Sequence, residues 1–91
     1  MVIKFYFSTI TSTLEMEKNQ RKIDFVLSSK GYDLEKIDIA TNQEAKHKMR
    51  ELLNNPKALP PQIFNDDVHC GDFDAFDAAV ENETLDEFLK L

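Results

Sequence analysis

The chain has 91 residues, enough for a single domain over 1–91, because two cores would leave each half too small to hold itself together. Apolar residues make up 42% and charged residues 31%, with only two glycines and three prolines, which excludes a disordered or low-complexity chain; the lone Cys70 excludes an internal disulfide and a four-thiolate metal site. The net charge of −6 is unevenly placed: residues 1–61 hold ten Lys/Arg against eight Asp/Glu, residues 62–91 only Lys90 against nine acids, and so acidic a last third is a poor surface for nucleic acid or anionic lipid.

Val2, Ile3, Phe5, Tyr6 and Phe7, interrupted only by Lys4, predict a mostly buried strand. The polar stretch Ser8–Thr13 follows as a loop. Ser12 with Glu15 predicts a capping box, and Met16, Gln20, Ile23, Val26 and Leu27 then share one helical face, with Gln20 as its polar exception. Gly31 is placed to end that helix in a left-handed conformation. Leu34, Ile37 and Ile39 predict a second strand. Thr41 with Glu44 predicts a second capping box, followed by a helix with Ala45, Met49, Leu52 and Leu53 inward and Asn54-Asn55-Pro56 as its stop.

Pro60-Pro61 leads into a short strand, Gln62-Ile63-Phe64. Asn65-Asp66-Asp67 is a turn, and Val68-His69-Cys70 pairs back as a hairpin. Gly71 and Asp72 open a third helix, capped by Asp72, with Phe73, Phe76 and Val80 inward. Thr84 with Glu87 predicts a third capping box before Leu85, Phe88 and Leu89. The order β-α-β-α-β-β-α makes the first two strands parallel and the last two antiparallel. A four-stranded mixed sheet with helices on both faces is the simplest structure that buries every apolar stripe.

This order, with a proline just before the third strand and Gly71 before the third helix, resembles the thioredoxin fold in its glutaredoxin branch. Pro60-Pro61-Gln62-Ile63-Phe64 is similar to the glutaredoxin segment Val-Pro-Gln-Ile-Phe, and Cys70-Gly71-Asp72 falls where that branch carries an apolar residue and two glycines. The run from Leu59 to Phe76, the ending Thr84–Leu91 and the opening Met-Val-Ile-Lys resemble the SH3-domain-binding glutamic-acid-rich-like proteins. That resemblance implies a thioredoxin-like, three-layer α/β fold without glutaredoxin chemistry, and Pro61 in the cis form at the edge of the groove where redox relatives bind substrate.

Redox members open the first helix with Cys-x-x-Cys or Cys-x-x-Ser, whose thiolate the helix dipole stabilises. Ser8 to Thr13 contains no sulfur, so no mixed disulfide can form there. Cys70 reads as a small buried hydrophobe, with Asp66, Asp67 and Asp72 expected to raise its pKa. Glutathione binding is expected to be weak or absent. The residue before the cis proline gives both its N–H and its C=O to glutathione in glutaredoxins, and Pro60 has no N–H, a loss of about 1 kcal/mol. Only Gly71 and Asp74 match the family's binding turn, and Asp72 places a negative charge nearby.

The prolines Pro56, Pro60 and Pro61 form no Pro-x-x-Pro, the pattern an SH3 domain reads. His47 and His69 have no ligand-spaced partners, and the aspartates after position 65 lack the glycine and distal glutamate of a calcium loop, so no metal and no cofactor is expected. The expected function is a non-catalytic module that binds another protein, through Ser8, Thr9, Thr11, Ser12 and Thr13, Leu59, Pro60 and Pro61, and Gly71, Asp72 and Asp74. Partners implied by the resemblance are an SH3-containing, signalling or cytoskeletal protein, or a glutaredoxin whose activity the chain modulates. The alternative is a glutathione-binding protein or glutathione-dependent thiol oxidoreductase using Cys70 or a hydroxyl. No apolar run approaches the ~20 residues of a bilayer span, and the start has no basic leader. A monomeric cytoplasmic protein, small enough to reach the nucleus, is expected.

Overall fold

The apolar run at the start of the chain becomes one of two inner strands of a four-stranded sheet. In the computed structural model, which describes residues 1–91, the order is β1 (Ile3–Phe7), α1 (Leu14–Ser29), β2 (Leu34–Asp38), α2 (Gln43–Leu52), β3 (Gln62–Asn65), β4 (Val68–Asp72), α3 (Phe73–Glu81) and α4 (Leu85–Phe88). The strands lie in the order β2-β1-β3-β4, with β1 parallel to β2 and antiparallel to β3, and β3 antiparallel to β4. This is the mixed sheet with helices on both faces that the apolar stripes require, and the thioredoxin-like fold that the resemblance implies.

Burial on both faces explains why β1 reads as a nearly unbroken apolar run. Ile3 and Phe5 join Ile23 and Leu27 of α1, Ile63 of β3, Phe76 of α3, and Leu85 and Leu89 in one core. Tyr6 turns the other way, with Ile39, Ala58, Phe64 and Met49 of α2, in the second. Lys4 shares the Tyr6 side and reaches the hairpin turn, where its ammonium and that of Lys48 each lie 3.5 Å from Asp67 Oδ1. Asn65, buried at the end of β3, donates from Nδ2 to the Leu89 carbonyl at 2.8 Å and ties the hairpin to the C-terminal turn.

Each predicted capping box is corrected by one residue or by a missing bond. Thr13, not Ser12, caps α1: its hydroxyl accepts the Met16 N–H at 3.1 Å, because the helix begins at Leu14. Asn42, not Thr41, caps α2 and accepts the Ala45 N–H at 3.0 Å; an amide oxygen at this position competes well with a hydroxyl. Thr84 precedes α4 but makes no side-chain cap bond. Asp72 does cap α3, accepting from the Ala75 N–H at 3.1 Å, and Gly31 follows α1 with φ +77°. The last helical stretch is two pieces, α3 and α4, held to the body partly by Tyr32, whose hydroxyl donates to Asp86 at 2.6 Å. Burial and that bond push the Tyr32 pKa up to about 12.

The hairpin corrects two further expectations. Gly71 and Asp72 belong to β4 rather than to the helix: Gly71 pairs with Ile63 and Asp72 with Gln62. Phe64 pairs with His69, so Cys70 is the extra residue of a β-bulge. Gly71 is buried against α3 and α4. A Cβ there would lie 2.7 Å from Phe88 Cε1 and 2.8 Å from Ala75 Cβ, so packing alone requires glycine.

Candidate functional site

The connection from β1 to α1 is held by two side chains outside it. Gln20, on the apolar face of α1 and only 8% exposed, accepts the Ser8 N–H through Oε1 at 3.0 Å and donates from Nε2 to the Ser8 carbonyl at 2.9 Å. The Ser8 hydroxyl donates to the Ile10 carbonyl at 2.7 Å and accepts the Ile10 N–H at 3.2 Å. Asp38, at the end of β2, accepts the Thr9 N–H at 3.1 Å, the Thr9 hydroxyl at 2.8 Å and the Ala40 N–H at 3.0 Å. Partial burial would raise the Asp38 pKa, but these donors outweigh it and hold the carboxyl below its ordinary value. The loop is therefore fixed in shape without an ion or a thiol.

Opposite it, the chain from α2 to β3 forms a ridge at Leu59 and Pro60. The peptide bond from Pro60 to Pro61 is cis, and Pro61 is buried at the entry to β3. Gln62 Nε2 donates to the Leu59 carbonyl at 2.9 Å. This turns its Oε1 toward His69, whose Nε2–H donates at 2.8 Å. The hairpin thus sets His69 against an amide. Burial lowers the His69 pKa, Asp72 opposes this and Lys90 adds to it.

The Leu59–Pro60 ridge separates two depressions of unlike charge. One, of about 400 Å³, is bordered by Ser8, Ile10, Thr11 and Ser12 of the loop, by Met16 of α1, and by Lys46 and Arg50 of α2. The other, of about 570 Å³, is bordered by Pro61, Gln62, His69, Asp72, Phe73, Asp74 and Glu15. Two large apolar side chains stand exposed at the first: Ile10, 78% exposed, and Leu59, 61% exposed. The structure so brings together Thr11, Ser12, Leu59, Pro60, Pro61, Asp72 and Asp74 from the predicted set.

Four other predicted residues serve differently. Ser8 borders the first depression but, 8% exposed, spends its polar groups inside the loop. Thr9 is turned to Asp38, Thr13 is a helix cap, and Gly71 is covered by Phe88. Residues the sequence reasoning passed over are Ile10, Met16, Lys46, Arg50, Gln62 and His69. Ile10 carried a usable signal, as one large apolar residue inside a run of five Ser/Thr neighbours from Ser8 to Thr13.

Cys70, on β4 between His69 and Asp72, lines neither depression. It is half-buried against the core, with Sγ 3.8 Å from the Val68 carbonyl. Its pKa is raised, as expected, but by burial rather than by the neighbouring aspartates; Lys90 pulls the other way.

Comparisons with known proteins agree with this fold. A protein of similar sequence, the SH3 domain-binding glutamic acid-rich protein homolog of Drosophila melanogaster, is 38% identical over 105 aligned positions that cover all of this chain. The chain spans 65% of that relative's length. Among solved structures, the C. albicans actin interacting protein Aip5 has a similar fold, with a TM-score of 0.73 and 24% identity over 96% of this chain and 86% of that one. The family model described as SH3-binding, glutamic acid-rich protein matches residues 1–91. That match from first residue to last places the chain in the SH3-binding, glutamic acid-rich protein family.

Proposed function

We propose that this chain is a non-catalytic protein-interaction module that receives a segment of a partner on the face around the Leu59–Pro60 ridge. The observation that carries this reading is the exposure of Ile10 and Leu59 on either side of one depression. Large apolar side chains concentrated beside a preformed hollow are what a docking surface needs and what an isolated soluble chain avoids. The chemistry of the face supports binding over turnover. The Ser8 and Thr9 hydroxyls are committed to internal bonds, and Cys70 is half-buried with its pKa raised.

The names of similar proteins suggest the class of partner: one is described as SH3 domain-binding and another as actin-interacting. Of these, a cytoskeletal or signalling partner docking on the ridge fits better than an SH3 domain reading the prolines. Pro61 is buried, and no Pro-x-x-Pro is present. Modulation of a glutaredoxin by the same face is a narrower form of this reading. Glutathione itself is a poor fit, because Pro60 offers no N–H beside the ridge.

Placing a photoreactive residue at Leu59 and, separately, at Phe25, which is even more exposed on α1, tests the assignment. A partner cross-linked from Leu59 but not from Phe25, and lost in Ile10→Asp, is the expected result. Equal cross-linking from both positions would refute it. Turnover of a mixed disulfide with glutathione, abolished by Cys70→Ser, would replace this reading by the enzymatic one.

A further inference from the structure

The first depression carries two cations without counter-charges. Lys46 and Arg50 are four residues apart on α2, so they share a side of the helix and repel one another. Both are half-buried, and no carboxylate lies within ion-pair distance of either. Three other helical bases are paired, Arg21 with Glu17, Lys22 with Asp77 and Lys48 with Asp67, whereas Lys18 of α1 is unpaired but exposed to solvent, unlike the half-buried Lys46 and Arg50. In a chain of net charge −6, acids were available to neutralise this pair, and none does. Arg50 is also held in place. Its Nε donates to the Ala58 carbonyl at 3.1 Å, which leaves the two terminal NH₂ groups as a fixed fork.

We propose that this site takes an acidic–apolar peptide, an extended segment of a protein partner whose Asp or Glu is held by Lys46 and Arg50 while an apolar side chain packs between Ile10 and Leu59. The inference rests on the interaction reading above and names the ligand class of the same site. An Arg fork matches a carboxylate in two parallel hydrogen bonds. In an extended strand, residues two apart face the same way, so the required pattern is apolar–x–acidic or its reverse. The far side of the ridge sets Glu15, Asp72 and Asp74 against the single cation Lys57, a net negative border that disfavours a carboxylate relative to the α2 side. Because the chain as a whole is anionic, the attraction is local and strongly salt-dependent.

The test uses three capped nine-residue Gly/Ser peptides: one with Leu and Glu two positions apart, one with Lys for the Glu, and one with Ser for the Leu. Each is titrated by amide chemical shifts at low salt, up to about 5 mM, a range that detects millimolar affinity. The Leu/Glu peptide is expected to shift Ile10, Lys46, Arg50 and Leu59. It should bind at least about tenfold more tightly than the other two and than glutathione, which has carboxylates but no large apolar side chain. Lys46→Glu should weaken the Leu/Glu peptide and strengthen the Leu/Lys peptide, an exchange that simple unfolding could not produce. Binding to the same residues without charge preference would overturn the inference and leave the interaction face standing. Saturation elsewhere would overturn both. No saturable shift with any peptide would overturn the acidic–apolar assignment, while cross-linking from Leu59 would still decide the face.

Discussion

Replacing Gln20 by Leu keeps the volume of a buried side chain but removes both bonds to Ser8. The Ser8 N–H and carbonyl, bonded at 3.0 and 2.9 Å, would then be left without partners in a site closed to water. Each orphaned buried group costs about 1–3 kcal/mol, so Gln20→Leu should cost about 2–6 kcal/mol. A chain of this length has a total stability of about 5–14 kcal/mol, so the loss is a large fraction of it. At about 4–8 °C per kcal/mol, Tm should fall by about 8–48 °C. Urea unfolding followed by circular dichroism should show a lower midpoint at unchanged slope. Gln20→Glu separates the two bonds. A carboxylate still accepts the Ser8 N–H but has no proton for the Ser8 carbonyl, whereas a protonated carboxyl donates. The folded-state pKa of the new Glu should therefore lie above the ordinary glutamate value of about 4.3. Its deficit relative to wild type is small below that value and grows as pH rises through the folded pKa. A cost below about 0.5 kcal/mol for Gln20→Leu, within the range of ordinary surface substitutions, would refute the reasoning. So would a Gln20→Glu deficit that does not change with pH.

Three further outcomes follow from the hairpin. Gly71→Ala should destabilise by about 1–3 kcal/mol through overpacking against Phe88 and Ala75, and Phe88→Leu should recover part of that loss; purely additive costs in denaturant titrations would contradict the packing account. Cys70, half-buried with its pKa raised, should react with iodoacetamide at pH 7.5 more slowly than free glutathione and speed up in urea; a faster reaction in the native protein would mean an activated thiol. His69 has a folded-state pKa below the ordinary 6.5, so its ring resonances should titrate with a lower midpoint. Between that midpoint and 6.5 the unfolded chain binds the proton more readily, so stability should decline as pH falls through this window, and the decline should be smaller in His69→Gln.

The strands, the helices and their order were legible because each depends on local pattern. Apolar period marks the helices, a two-sided apolar run marks β1, and turn residues mark the hairpin. The caps were missed by one position because Ser12 and Thr13, or Thr41 and Asn42, are chemically near-equivalent, and only the tertiary start of the helix chooses between them. The bulge at Cys70 was invisible, since nothing local distinguishes it from a regular pair; it arises where Asp72 must reach both Gln62 and the α3 cap. The site was half legible. Pro61, Asp72 and Asp74 could be placed by resemblance, but Lys46 and Arg50 reach the depression only through the packing of α2 on the sheet. Their lack of partners is a property of space and not of sequence.

The irregularity at Cys70 also bears on what this molecule does in a crowded solution. β4 lies at one border of the sheet, where unpaired amides and carbonyls could template another chain. The extra residue interrupts that row after only two pairs from the turn, and twists the strand away from the flat geometry that fibrillar stacking demands. At the opposite border, exposed Glu35 and Lys36 set charge in the middle of β2. The protein can therefore leave Ile10 and Leu59 uncovered while its sheet margins stay unreceptive to self-templated growth.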